Sequence, residues 1–118
     1  MAKKTEQTFD RAAFIAAVKA SSAPAPLRVE VEGLGACYIR AITAGQGSEI
    51  ADYEPCDKKH TNARNAAIVL CDADGVLLFD PRSKDDLEQL SGLKAATINK
   101  ILKAANEHNG WVETEKKD

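Results

Sequence analysis

The sequence predicts a small α+β domain, with an antiparallel β-hairpin packed against several α-helices. Three observations carry that expectation. Residues 27–32 alternate between apolar and charged side chains, and a glycine turn leads from them into a second β-rich run. Residues 93–105 repeat apolar side chains at helical spacing. The stretch between holds alanine-rich runs, capping residues and turn formers at lengths that suit short helices and tight loops.

Residues 1–8 are polar and expected to be mobile. Asp10 can cap a first helix, with Phe9 before the cap and Phe14 after it placed as a hydrophobic staple. Phe14, Ile15 and Val18 share one face of that helix, which should stop near Ala20. SSAPAP follows, and its two prolines remove donors and favour extended chain, so residues 1–26 read as a helix on a Pro-containing arm. In Leu27 to Glu32 the apolar residues Leu27, Val29 and Val31 face one way, as a half-buried strand requires. Gly33-Leu34-Gly35 turns the chain, and Ala36 to Ile42 should return as the second strand.

Gly45, Gly47 and Pro55 punctuate a polar stretch in which Ser48 is placed to cap a short helix through Tyr53. Residues 54–61 read as an exposed loop. The alanines of Asn62 to Cys71 favour helix, whereas Ile68-Val69-Leu70 alone favours strand; helix is the expectation, and strand stays open. Asp72-Ala73-Asp74-Gly75 is a turn, because its carboxylates can bond nearby N–H groups and its glycine can take positive φ. Val76 to Phe79 should extend. Ser83 is placed to cap Lys84 to Leu90, with Gly92 closing that helix. Leu93, Thr97, Ile98, Ile101, Leu102 and Ala105 form the stripe of a last helix ended by Asn109-Gly110. Trp111-Val112 could fold back on it. The domain is thus expected over residues 27–112, with a charged tail at 113–118.

Hydrophobic residues make up 44% of the 118-residue chain, but 20 are alanines, which leaves about 27% as larger apolar side chains. Alanine buries little area, so the core should be thin and open to stabilisation by partners or self-association. The 16 basic residues are interleaved with 18 acidic ones, which argues against nucleic acid as a main partner. No apolar run approaches the roughly 18 residues that span a bilayer, so no membrane role is expected. The N-terminus lacks the apolar stretch of a secretory signal. Three widely spaced cysteines suit a reducing compartment better than a disulfide framework.

Cys56 and His60, with Cys71 further on, offer three ligand types without the close pairs of a structural zinc site. The DADG turn puts its glycine at the fourth position rather than the sixth of a calcium loop, and apolar residues follow it. Neither His60 nor His108 lies in a nucleophile motif, and Gly33-Leu34-Gly35 lacks the continuation of a dinucleotide fingerprint. No cofactor and no metal is expected, and a thiol or metal enzyme is the weakest reading. Tyr38, Ile42, Phe79, Ile101, Leu102 and Trp111 are apolar or edge positions beyond what a small core needs, and are the candidate partner-binding residues. Arg40 joins them as a rim or structural charge. Trp111 is the foremost anchor, since tryptophans are enriched at interface hot spots; it could equally cap the last helix.

Taken in order, four segments resemble the tail assembly chaperones of lambda-like, long-tailed (non-contractile) bacteriophages over residues 27–112. They are VEVEGLGACYIRAIT with Arg40, AAIVLCDADGVLLFD with Asp72, Asp74, Gly75 and Phe79, the short acidic helix DDLEQL, and LKAATINKILKAANEHNGW. Relatives often continue from Asn-Gly into leucine, where this chain has Trp111. The resemblance implies a non-enzymatic protein of the host bacterial cytoplasm, absent from the mature virion. It implies binding to the tape measure protein, recruitment of tail tube protein through a longer frameshifted form, and self-association into a ring or spiral. The tail Glu115-Lys116-Lys117 would permit an A-rich slippery run of codons. The runner-up is a structural head–tail or tail-tube component of a phage or prophage particle.

Overall fold

The computed structural model describes residues 10–21 and 25–111. Residues 1–8, the Phe9 half of the staple, Pro24, Val112 and the tail 113–118 lie outside the described residues. Among the described residues the fold is α+β, with five α-helices and a three-stranded antiparallel sheet in the order β1-β2-β3. Helix α1 spans Arg11–Ser21, and its cap is the expected one: Ala13 N–H donates to Asp10 Oδ1 at 2.8 Å. Its residues from Arg11 to Ala20 are all exposed.

Strands β1 (Leu27–Val31) and β2 (Gly35–Ile39) form the expected hairpin, with Leu27 opposite Ile39 and Val31 opposite Gly35. Gly33 and Gly35 take φ of 88° and 85°, which lets the chain reverse within three residues. Val31 and Ile39 go into the core. The second strand ends at Ile39, three residues before the expected Ile42. Beyond it the Arg40 N–H bonds Val69 O at 2.9 Å, and the Arg40 side-chain Nε bonds Ile68 O at 2.7 Å.

Helix α2 spans Ala44–Ala51, and its cap is Thr43 rather than Ser48. Thr43 Oγ1 accepts from Gln46 N–H while Gln46 Oε1 accepts from Thr43 N–H, a reciprocal pair that satisfies two donors at once. Gly45 and Gly47 therefore lie inside a helix that ends two residues before Tyr53. The guanidiniums of Arg64 and Arg82 each lie 5.5 Å from the Tyr53 ring centroid. Arg64 also bonds Glu54 O and Pro81 O, so it ties two loops together.

After a short 3-10 turn at Lys58–His60, helix α3 spans Thr61–Val69 and strand β3 is Leu70–Cys71. The alanine half of the ambiguous run is helical, as expected. Its last two residues are a strand instead, because β2 offers partners to them: Tyr38 pairs with Cys71 and Ile39 with Leu70. The turn after it forms on Asp72, whose Oδ1 accepts from Asp74 N–H and Val76 N–H. The chain returns with Leu77 bridged to Cys71. Ser83 caps α4 (Lys84–Leu90) through Asp86 N–H, as its position predicts. Gly92 follows that helix without entering the left-handed region. Helix α5 spans Ala95–Asn109 and is closed by Gly110 at φ 76°.

The core is centred on α5, which packs on α3 and on both hairpin strands, and α4 packs on α3. Its thinness is visible in the side chains: Ala63, Ala66, Ala67 and Ala105 are buried, and among the described residues no aromatic is. His60 is the buried polar side chain of this core, and its Nε2 meets Glu88 Oε1 at 2.7 Å. An ionised carboxylate only accepts, so Nε2 carries the hydrogen in that bond.

Candidate functional site

The seven candidate residues separate into two surface hollows, one structural charge and one core residue. Ile42, Leu102 and Trp111 come together around a hollow of about 450 Å³. Ile68, Val69 and Ala105 form its floor, and Ile50 and Gly47 of α2 line one wall. Two local devices build it. Gly110 takes the left-handed turn, after which Trp111 N–H donates to Asn106 O at 2.8 Å, setting the indole at the end of α5. Behind Ile42, Asn109 Oδ1 accepts from Ile42 N–H at 2.6 Å, and its Nδ2 donates to Arg40 O and Ala105 O. The segment after β2 is thus clipped to the end of α5. Trp111 lines the hollow yet keeps 48% of its surface exposed.

Tyr38 and Phe79 meet at a second hollow, of about 500 Å³. It lies where β2 outruns the two-residue β3, between Leu34 of the hairpin turn, Leu78, Leu90 and Leu93. Cys37 and Cys71 also line it. Burial pushes both thiols up; Glu30 adds to this at Cys37, while at Cys71 Arg40 opposes and Asp72 adds. A raised thiol holds less thiolate, the opposite of what a nucleophilic cysteine needs.

Two candidates stand elsewhere. Ile101 is fully buried, so it is core and offers no contact surface. It sits one position from Leu102 on the same stripe, and the packing of α5 buries the first and leaves the second half-exposed. Arg40 is structural: its Nε bond to Ile68 O places a cation on the carbonyl end of α3, where the helix dipole favours it. The Cys56, His60 and Cys71 set is not assembled, since Cys71 is in the sheet and His60 is engaged with Glu88. Among the described residues no group of three His, Cys, Asp or Glu is placed to hold a metal ion.

Several residues that line or brace the hollows escaped the sequence reading. Ile50, alone among polar neighbours, and Leu34, an apolar residue in a glycine turn, carried a visible signal. Asn109 carried one as a helix stop, but nothing nearby in sequence showed that its amide reaches Ile42. No protein-family model, curated protein or solved structure matches the chain.

Proposed function

We propose that this chain is a tail assembly chaperone of a long-tailed phage, one that binds the tape measure protein and keeps its apolar helical segments soluble. The observation that carries the reading is the Ile42–Leu102–Trp111 hollow. It is a largely apolar hollow lined by α2, α3 and α5, a surface that could receive one face of an amphipathic helix. A half-exposed tryptophan at the rim gives a docking helix an aromatic anchor. The thin alanine core suits a protein that shares its apolar surface with partners. Under this reading the chain acts in the host bacterial cytoplasm, self-associates along the tape measure, and is left out of the mature virion. A longer frameshifted form would recruit tail tube protein.

The test is co-expression with the tape measure protein of the same phage, followed by affinity capture and size analysis. A soluble complex holding many copies of this chain is the expected result. Trp111→Ala should then lower capture at least tenfold while the fold, followed by far-UV circular dichroism, is kept. A tape measure protein equally insoluble with and without the chain overturns the reading, and recovery of the chain in purified particles would make it a structural tail component.

A further inference from the structure

Strand β1 is an edge strand: among the described residues it pairs with β2 and with no strand on its other side. The hydrogen-bond pattern shows which of its backbone groups are left over. Arg40 N–H points away from β1, to Val69 O, and the N–H groups of a strand turn to the same side at every second residue. Tyr38 and Ala36 therefore face away from β1, while Ile39, Cys37 and Gly35 face it. Their partners Leu27, Val29 and Val31 direct their N–H and C=O groups to β2. Val31 O, which accepts from Leu34 N–H, points the same way. Arg28 and Glu30 then turn their N–H and C=O groups outward. Beside that edge runs a trough of about 880 Å³, lined by residues 27–30 of β1 and by one flank of α5. Lys100 and Lys103 stand exposed on the helix wall, between the small side chains of Ala96 and Ala104. Arg28 and Glu30 pair with each other at 2.8 Å, whereas neither lysine is in an ion pair among the described residues. Glu107 is the one carboxylate on that wall, which therefore carries a net positive charge.

We propose that an extended, acidic segment of a partner protein adds as a further strand to the free edge of β1, in the trough beside α5. Strand addition of this kind takes its affinity from main-chain bonds and its selectivity from alternate side chains. The outward groups of Arg28 and Glu30 supply the main-chain bonds, along about 17 Å of edge for a five-residue strand. The added strand sends every second side chain toward α5, where carboxylates meet the Lys100 and Lys103 ammoniums. The lysine stems and Leu27, which is 37% exposed, cover the apolar parts of those side chains. A basic segment would set like charges against the two lysines and be rejected. This edge takes a strand where the Trp111 hollow takes a helix, so the inference goes beyond the proposed function and stands without it.

The experiment follows amide hydrogen exchange by NMR on the full, isotope-labelled chain, with two short peptides as probes. One peptide alternates valine with glutamate, the other valine with lysine. The glutamate peptide is expected to slow exchange at Arg28 and Glu30 and to leave Leu27 and Val29, already paired with β2, unchanged. It should bind about tenfold more tightly than the lysine peptide, the difference between two surface ion pairs and two repulsions. Lys100→Glu and Lys103→Glu combined should reverse that preference; both side chains are exposed, and far-UV circular dichroism checks that the fold is kept. Glu30→Pro removes one outward N–H and no bond of the hairpin, at the kind of edge position that accepts proline, and should weaken the glutamate peptide several-fold. Unchanged exchange at Arg28 and Glu30 under saturating glutamate peptide overturns the proposal, as do equal affinities for the two peptides or a doubly substituted chain that still prefers glutamate. Protection of those two amides without any peptide overturns it as well: protection that grows with chain concentration gives the edge to a second copy, and protection independent of concentration gives it to the chain itself.

Discussion

Asn109→Ala should loosen the joint between α5 and the segment after β2, and with it the Trp111 hollow. The side-chain amide makes three bonds there: Ile42 N–H to Oδ1 at 2.6 Å, and Nδ2 to Ala105 O at 3.0 Å and to Arg40 O at 3.3 Å. Oδ1 faces a donor and Nδ2 faces two carbonyls, so the orientation of the amide follows from its partners. A protein hydrogen bond is worth about 0.5–1.5 kcal/mol net, and a polar group left without a partner costs about 1–3 kcal/mol. The site is half-buried, so water can reach part of it, and the longest bond counts for least. The expected loss is about 2 kcal/mol, a sizeable share of the roughly 5–15 kcal/mol that holds a domain. Asn109→Asp keeps the acceptor, loses both donated bonds and adds a negative charge at the carbonyl end of α5. It should lose about 1–2 kcal/mol. Urea unfolding followed by Trp111 fluorescence reads both, with an unchanged dependence on urea showing that only stability moved. Stability of Asn109→Ala within about 0.5 kcal/mol of the unmodified chain would refute the clip.

Three further outcomes follow from the packing. Ile101→Ala should cost about 2–5 kcal/mol, and Leu102→Ala about 1 kcal/mol, with loss of tape measure capture confined to the second in samples that remain folded; equal costs in a urea titration would sink the division between core and surface. Gly47→Ala should raise stability by about 0.5–1 kcal/mol, because an added Cβ meets nothing within 4 Å and alanine favours the helix; a drop would mean that the helix needs the glycine. His60, bonded to Glu88, and then Lys59 hold the Glu88 carboxyl below its ordinary value of 4.5. A depressed carboxyl contributes stability that is present above the unfolded value and lost as the pH falls through the folded one. Stability should therefore decline from about pH 4.5 downward, and Glu88→Gln should flatten that part of the curve; identical acid limbs in unfolding titrations would remove this pair as the cause.

The sequence by itself determined the elements whose signals are local. The Asp10 and Ser83 caps, the Leu27–Val31 alternation, the Asp72 turn and the glycine stop after Asn109 all act within a few residues, where side-chain hydrogen bonds, φ limits and periodicity suffice. The tertiary structure decided what depends on residues distant in the chain. Leu70 and Cys71 became strand because β2 stood ready to pair with them. Arg40 found carbonyls at the end of α3, 28 residues away in the chain at Ile68. Thr43 in place of Ser48 as a cap is the exception, a local competition decided within three residues by the reciprocal Gln46 pair that satisfied two donors. Ile101 and Leu102 share one stripe, and only the packing of α5 on α3 and the hairpin made one core and the other surface. Asn109 reaches Ile42 across 67 residues, so the shape of the Trp111 hollow could arise only once the chain had folded. A periodic pattern tells which face of an element is apolar; how far a neighbour covers that face is set by packing between segments that the pattern does not connect.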